Sequence, residues 1–575
     1  MRFLLFLIPV ALCAAQIDYS VQFIGVQDRD TIKSLKSASD LVTLRDRPPA
    51  SINALRYRAD SDIPELIKVL HAQGYYEATV NIRIEEMDGG DTAVFILIQP
   101  GPIYTIEECS VHLHPDACPM QPDLKIDAPA LAKDVLEAEQ KILNQLSDCG
   151  FPLAKVENRE MVADGKTKTM RILWNVATGP YCRFGPTDIR GVVATQPGFI
   201  QHKIAWKEGD PYASSLVETT QKNLLDTGLF SSVLITHDLE PNGQDELGMK
   251  VELNENKHRS INIGASYQTF FGPGLTFGWE DRNVSGLGRK LALQGDVTRK
   301  THSGVATFWV PDFFRVDQDY VAQAQAVYES IFAYADRSYS ITNRVERRIG
   351  TKYRVSLGLK LERMIVGDSA SNGTFSLLEI PLYFRWSSAN HLLNPTQGAT
   401  LEYKLIPSGN FSQPDRYYLY QYVGYSFYWP MTKSDFFVIA QQIVMENILG
   451  SSLSAIPLPR RVLGGTEQNL RGYRYRSVSA LDGHKPIGGK SGLFYTFETR
   501  FHVTKSIGLV PFFDFGNVYE TTVPHARGKW FKSAGLGLRY FTFLGPLRFD
   551  IAFPLDRRKG IDPRYRVLVS IGQTF

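Results

Sequence analysis

The chain has 575 residues, more than one compact core accommodates, so several domains are expected. Its formal net charge is +3, from 63 basic and 60 acidic residues mixed throughout, which leaves no electrostatic footprint for nucleic acid. Past the N-terminus no run of 18 apolar residues occurs; this excludes a membrane-spanning helix but not a barrel, whose alternating strands score as hydrophilic on average.

Residues 1–15 carry Arg2, an apolar stretch over 3–12 and the small pair Ala14 and Ala15, the layout of a secretory signal peptide cleaved ahead of Gln16. A lipidated Cys13 would need a small residue before it, and Leu12 stands there. Four cysteines follow, Cys109, Cys118, Cys149 and Cys182. An even number in an exported chain points to disulfides, with the pairing open. Zinc is the weaker alternative, because no two of the four stand in a C-x-x-C spacing.

Residues 17–257 hold a threefold repeat. The first copy has a helix over 64–73 ending on Gly74-Tyr75-Tyr76, strands over 79–85 and 92–98, and an exit Gly101-Pro102-Ile103-Tyr104. In the second, a helix over 128–146 ends on Gly150-Phe151, with the exit Gly179-Pro180-Tyr181. In the third, a helix over 213–226 ends on Gly228-Leu229-Phe230, followed by strands over 232–236 and 249–254. The helix-ending glycines are 76 and 78 residues apart. Glycine there takes the left-handed conformation that stops a helix, and the residue after it folds onto the core. Each copy therefore reads strand, helix, helix, strand, strand, a small α+β module. The pattern resembles the POTRA (polypeptide-transport-associated) family, with modules at 16–103, 104–181 and 182–257.

From Ser260 onward the period changes to two. Phe549, Ile551 and Phe553 share one face and Arg548 and Asp550 the other; Leu493, Tyr495, Phe497 and Phe501 likewise oppose Thr496, Glu498 and Arg500. In a membrane barrel the apolar face meets lipid and the charged face lines the lumen. Sixteen strands are predicted, near 259, 274, 290, 303, 319, 334, 352, 375, 398, 417, 435, 491, 507, 531, 545 and 563. An even number suits a bacterial single-chain barrel. The expected fold is thus three α+β modules followed by a 16-stranded transmembrane antiparallel β-barrel over 258–575.

One connection, 450–490, is too long for a hairpin, and such loops are usually functional. It contains Gly464-Gly465-Thr466-Glu467-Gln468-Asn469-Leu470-Arg471-Gly472-Tyr473. The Gly-Gly lead, Arg471, Gly472 and Tyr473 resemble the sixth-loop motif of the POTRA-barrel outer-membrane assembly superfamily, which includes BamA-like, TamA-like and two-partner secretion proteins. The resemblance implies that the loop folds into the lumen and that Arg471 pairs with acidic residues on the next two strands. Glu498 occupies the polar face of the first. Asp514, within the signature Phe512-Phe513-Asp514-Phe515-Gly516, occupies that of the second. Arginine suits the role because its planar fork engages two carboxylates and stays charged when buried.

Near the C-terminus Tyr565, Val567, Val569, Ile571 and Phe575 alternate with Arg564, Arg566, Ser570 and Thr574, resembling the targeting strand of such barrels. Gly572 removes a side chain near the seam where the last strand meets the first. A weak seam would expose a strand edge on which a client strand can pair.

No G-x-S-x-G or H-E-x-x-H element occurs. The run 483–491 mimics a phosphate loop but has one residue too many before Gly489-Lys490-Ser491, with neither strand before nor helix after it. The chain is therefore expected to be no enzyme and to need no cofactor or metal. The resemblance implies a factor of the Gram-negative outer membrane with its modules in the periplasm, receiving unfolded outer-membrane clients and promoting their insertion into outer-membrane lipid. Three modules and sixteen strands fit the TamA branch, which implies a TamB-like inner-membrane-anchored partner at the first module. BamA-type chains usually carry five modules; two-partner transporters carry two and a plug helix. The alternative is a two-partner-type pore secreting a dedicated substrate. A passive porin would need neither the modules nor Arg471.

Overall fold

A computed structural model of the protein describes residues 17–86, 92–115, 117–268, 270–369, 372–412, 416–432, 436–525, 527–543 and 545–575; the leader at 1–15 lies outside the described residues. The chain divides into two compact units. One ends at Leu253; the other is Asn254–Phe575 with two short stretches, Val192–Gln201 and Thr227–Ser231. The boundary anticipated at 257/258 thus falls a few residues early.

The first unit holds three-stranded sheets in which the third strand is central and the first runs parallel to it. In the first module Tyr19–Ile24, Thr79–Glu86 and Thr92–Gln99 form the sheet, and Leu35, Leu55, Leu66 and Leu70 from the helices meet Val94, Ile96 and Ile98. The long helix runs Ile52–Ala72, not 64–73: Pro64 lies inside it. Its true start is marked by Ser51, whose hydroxyl accepts from the Ala54 amide, an N-cap that outweighs the helix-start reading of the proline. Asp62, buried on this helix, accepts the Ser39 hydroxyl and the Asp40 and Leu41 amides at 2.5, 2.9 and 3.0 Å. It thereby caps the short helix Asp40–Thr43 from a neighbouring element.

The second module departs from the predicted order. Among the described residues no helix directly follows its first strand, Thr105–His114; the next helix is Ala132–Asp148. Four prolines, at 115, 119, 122 and 129, occupy the intervening segment, and proline removes the amide a helix interior requires. A Cys118–Cys149 disulfide ties that segment to the helix end. Cys109 and Cys182, read with them as disulfide candidates, are free thiols. Cys109 sits mid-strand beside Ile172, and Cys182 is fully buried with its thiol donating to the Pro180 carbonyl.

Gly74, Gly150 and Gly228 all have φ between +68° and +95°. After the first two, the aromatic amide closes the helix: Tyr75 donates to the Leu70 carbonyl and Phe151 to Leu146, both at 2.9 Å, the long-range bond of a Schellman end. The exits also share a device. Tyr104 donates its amide to the Gly74 carbonyl and Cys182 to that of Gly150, so each Gly-Pro link folds back onto the turn that ended the preceding helix.

Glu77 of the first module bonds Lys168 of the second and accepts from the Tyr104 hydroxyl at 2.9 Å. These bonds hold its carboxyl below the ordinary carboxylate range, Lys168 contributing most. A carboxylate with a lowered folded pKa stabilises fully above its unfolded value, about 4.3, and loses that contribution as pH falls through the folded pKa. Protection against hydrogen exchange around residues 101–105, measured against the unfolded-chain rate at the same pH, is therefore expected to fall below about pH 4.5 in the native chain. In Glu77→Gln the same amides should exchange quickly already at neutral pH; an unchanged profile would remove the pair from the junction.

The second unit is one antiparallel sheet of seventeen segments in chain order, from Arg259–Gln268 to Arg566–Ile571. Each of the sixteen predicted positions lies within three residues of the start of one of them. The additional segment arises from a break: Gly373–Glu379 and Leu382–Ser387 both pair with Tyr353–Gly367 and with Gly398–Asn410. Pro381, which has no amide to donate, stands in the gap. The first and last strands approach each other, closing the sheet into a barrel. Outward Phe549, Ile551 and Phe553 are 42–48% exposed while inward Arg548 and Asp550 are at most 3%, the inverse of a water-soluble sheet.

Candidate functional site

The loop between Phe437–Gly450 and Ser491–His502 folds inside the barrel, and its backbone is held in register by bridges Val462–Gly489 and Gly464–Val478. Two glycines permit this. Gly465 has φ +89°, and a Cβ on Gly472 would sit 2.6 Å from the Phe553 carbonyl carbon and Pro554 nitrogen, so the loop rests directly on the backbone of the wall. Asn469 accepts the Gly465 and Thr466 amides at 3.0 and 3.3 Å, a local turn that delivers Arg471 to the wall. Tyr473 is buried; its hydroxyl donates to the Lys532 carbonyl at 2.8 Å and its ring meets Phe531 edge-on. The phosphate-loop look-alike is the end of this loop, a short hairpin of Leu481–Asp482 with Lys485–Pro486.

Gly472→Ala is expected to lower barrel stability by about 1–3 kcal/mol, because backbone on both sides must move. The temperature at which the folded chain loses its fast mobility on a denaturing gel measures it; a shift no larger than that of an exposed loop glycine such as Gly483 would show the contact to be slack.

Arg471 is fully buried. Its Nε and Nη2 donate to Asp514 Oδ2 and Oδ1 at 3.0 and 2.7 Å, its backbone amide donates to the same carboxylate at 3.0 Å, and Nη1 donates to Glu498 Oε1 at 2.8 Å. The guanidinium lies 3.5 Å over the Phe512 ring, and Gly516 leaves room where a Cβ would meet Leu493 O and Phe494 at 2.6 Å. The structure thus brings Arg471 together with Glu498 and Asp514 and adds the Phe512 ring beneath the guanidinium.

It adds residues that sequence reasoning missed. Asp550 Oδ2 accepts from Arg471 at 3.1 Å, and its Oδ1 accepts from Arg539 at 2.6 Å; Arg548 lies 3.2 Å away. Arg500 pairs with Glu498 at 2.9 Å. Four buried guanidiniums therefore share three buried carboxylates. The alternation placing Arg548 and Asp550 on the lumenal face was the available signal for this pair.

A second tether is distinct. Arg460, eleven positions before Arg471, bonds Glu362 and donates to Glu379 Oε1 at 3.1 Å; Lys360 stands 3.1 and 3.4 Å from the same carboxylates. The loop is thus pinned to two different stretches of wall.

The C-terminal residues also enter the lumen. The ladder ends at Ile571, paired with Leu547. Val567, Val569 and Ile571 keep the outward face, but Gly572 has φ +90° and its Cβ direction meets nothing closer than 3.6 Å. Its role is to turn the chain, not to clear space. Beyond it Thr574 accepts from Arg471 at 3.1 Å and donates to Glu498 at 2.7 Å. Phe575, which the alternation groups with Val567, Val569 and Ile571, instead stacks on Tyr428 and lies beneath Arg500, because the turn ends the alternation.

The model of the Omp85 superfamily domain matches residues 283–575, just over half of the chain and the whole of this site. The chain belongs to the Omp85 superfamily. Its modules and barrel make it a POTRA-barrel member of the BamA/TamA-like kind. It is 23% identical over 472 residues to the outer membrane protein assembly factor BamA of Nitratidesulfovibrio vulgaris, covering 79% of this chain and 59% of that protein. It is 20% identical over 502 residues to the BamA of Neisseria meningitidis serogroup B, covering 76% and 62%. This Omp85 chain thus spans about three fifths of the length of those relatives. In fold it is similar to the crystal structure of BamA from Haemophilus ducreyi lacking POTRA domains 1–3, with a TM-score of 0.69 at 16% identity, over 81% of this chain and 99% of that one.

Proposed function

We propose that the protein is an assembly factor of the Gram-negative outer membrane: three periplasmic POTRA modules receive unfolded outer-membrane clients, and a sixteen-stranded barrel inserts them into the lipid. The observation that carries this reading is the seam. With the broken strand counted as one, every other pair of neighbours in the large sheet shares a hydrogen-bonded register, whereas the strands Arg259–Gln268 and Arg566–Ile571 approach with no such register among the described residues. The last strand contributes only six paired residues before its inward turn. In lipid an unpaired edge is costly, so the seam favours any strand that pairs there.

Counting the broken strand once gives sixteen. A receiving edge exists in the modules as well: the strand Lys155–Asp164 lies at the edge of its sheet and is exposed along nearly its whole length, with Met161 and Val162 open to solvent. Strand addition there would hold an extended client through its backbone, independent of its sequence. Three modules favour the TamA branch, with an inner-membrane-anchored TamB-like partner at the first. The work is pairing and transfer, without bond chemistry.

The test is client folding in liposomes by the purified protein, by Arg471→Ala and by a variant lacking residues 16–257, with ion conductance recorded in parallel. Faster folding of an added barrel client at low conductance supports the reading. A steady open pore, or passage of a substrate into the vesicle without insertion, would replace it with the secretion pore.

A further inference from the structure

The outer surface of the barrel carries a groove of about 750 Å³ that neither the loop nor the seam explains. Its floor is Gly304, Ala306, Ala324 and Ala326, on the paired strands Thr301–Val310 and Gln318–Ser330, with Leu293 on one side and Ile341 on the other. Leu293 and Ile341 are 44% and 57% exposed. A row of side chains this small beside large apolar ones makes a channel along the strands rather than a flat lipid-facing wall.

Above the floor, toward the strand ends on the same side of the barrel as the 451–490 loop, the face becomes basic. Cross-strand register sets His302 against Tyr328 and Tyr328 against Arg337; one row deeper Tyr339 faces Arg363. The Arg337 guanidinium lies 5.5 Å from the Tyr328 ring centre, and His302 packs 5.7 Å from the same ring. Arg363 itself borders the groove. Register places Arg337 and Arg363 diagonally on adjacent strands, about 7 Å apart at their Cβ atoms. Neither has a carboxylate partner among the described residues. By alternation the carboxylates of these strands, Asp296, Asp319, Glu329, Asp336, Glu346 and Glu362, all point into the lumen, where Glu362 is taken by Arg460 and Lys360.

An arginine facing lipid is costly at depth and tolerated near the interface, where its guanidinium reaches a headgroup. Two of them, unpaired, above a groove shaped for hydrocarbon, are complementary to a ligand with several acyl chains and a phosphate. Guanidinium is the preferred phosphate partner because it can bind two oxygens at once. We propose that this groove is a binding site for a phosphorylated, multiply acylated glycolipid of the outer leaflet. The acyl chains lie over Gly304, Ala306, Ala324 and Ala326 and the phosphate between Arg337 and Arg363. The assignment to the outer leaflet rests on the orientation implied by the assembly reading, with the long loop outside.

The test is native mass spectrometry of the full chain in a neutral detergent, titrated with bis-phosphorylated lipid A, its dephosphorylated form, and phosphatidylglycerol. The native protein is expected to retain lipid A at least about tenfold more tightly than either comparator. Arg337→Gln/Arg363→Gln should lose that preference by a similar factor. Ala326→Phe, which fills the channel and keeps the charges, should weaken all three lipids together; gel mobility controls for folding. Equal retention of dephosphorylated lipid A, equal retention of phosphatidylglycerol, or an arginine variant that binds as the native chain does would each overturn the proposal. Client insertion is scored on the same preparations. A native chain that inserts clients but shows no lipid preference defeats only this site, and a native chain that shows the preference but fails in insertion defeats only the assembly reading.

Discussion

Arg471→Ala is expected to cost about 3–5 kcal/mol of barrel stability and to reduce client insertion by the same preparation. The size follows from which group is left alone. With Arg471 gone, Glu498 keeps Arg500, and Asp550 keeps Arg539 and Arg548. Asp514 keeps only two uncharged donors, the Ser533 hydroxyl and the backbone amide of residue 471, each at 3.0 Å, in a site it entered as a fully buried carboxylate. An uncompensated buried charge is the costly outcome; the lost attraction itself is secondary. The second substitution Asp514→Asn should therefore recover part of the loss in the Arg471→Ala background while destabilising the native chain. Arg471→Lys should rescue poorly, since an ammonium cannot reproduce the paired bonds to both Asp514 oxygens. Thermal unfolding followed by gel mobility decides this: if Asp514→Asn makes Arg471→Ala worse, the orphaned carboxylate is not the source of the cost.

Asp550→Ala should be at least as damaging, although no loop motif points to it. Its two oxygens serve three guanidiniums at 3.1, 2.6 and 3.2 Å, so its loss leaves four buried cations against two carboxylates. The expected cost is again about 3–5 kcal/mol or more. Asp550→Asn, which keeps the shape and an acceptor, should fall between. A double-mutant cycle between Arg471→Ala and Asp550→Ala should show coupling of about 0.5–3 kcal/mol, as groups sharing one network do. A change within about 0.5 kcal/mol for Asp550→Ala, the range of an ordinary surface position, would dissolve the cluster as an energetic unit.

How much of this was legible in the sequence follows the range of the interactions. Alternation and turn glycines are local, so the strand starts, the three helix ends and the lumenal placement of Glu498 and Asp514 could be read directly. Motif resemblance extended that reach to Arg471. What escaped were contacts that no local rule encodes. Arg460 meets Glu362 across 98 positions and Glu379 across 81, and no periodicity links an arginine in an irregular loop to one inward face among many. Pro64 read as a helix start because proline favours the first turn; the Ser51 cap and the burial of Leu55 and Ala59 override it. The second module's missing helix was hidden by a repeat that is otherwise faithful. Phe575 was misplaced because one positive φ, at Gly572, reverses what strict alternation predicts.

The two tethers of the long loop differ in where their partners lie along the chain. Glu362 and Glu379 precede Arg460, whereas Glu498, Asp514, Asp550 and Thr574 all follow Arg471. For a polypeptide that is threaded out N-terminus first, the Arg460 tether can form as soon as the strands before the loop have paired. The Arg471 cluster must wait for the last strands to arrive. One tether thus binds the loop to strands that precede it, and the other binds it to strands among the five that follow. The Arg471 cluster is therefore complete only when the strands carrying Glu498, Asp514 and Asp550 are all in place.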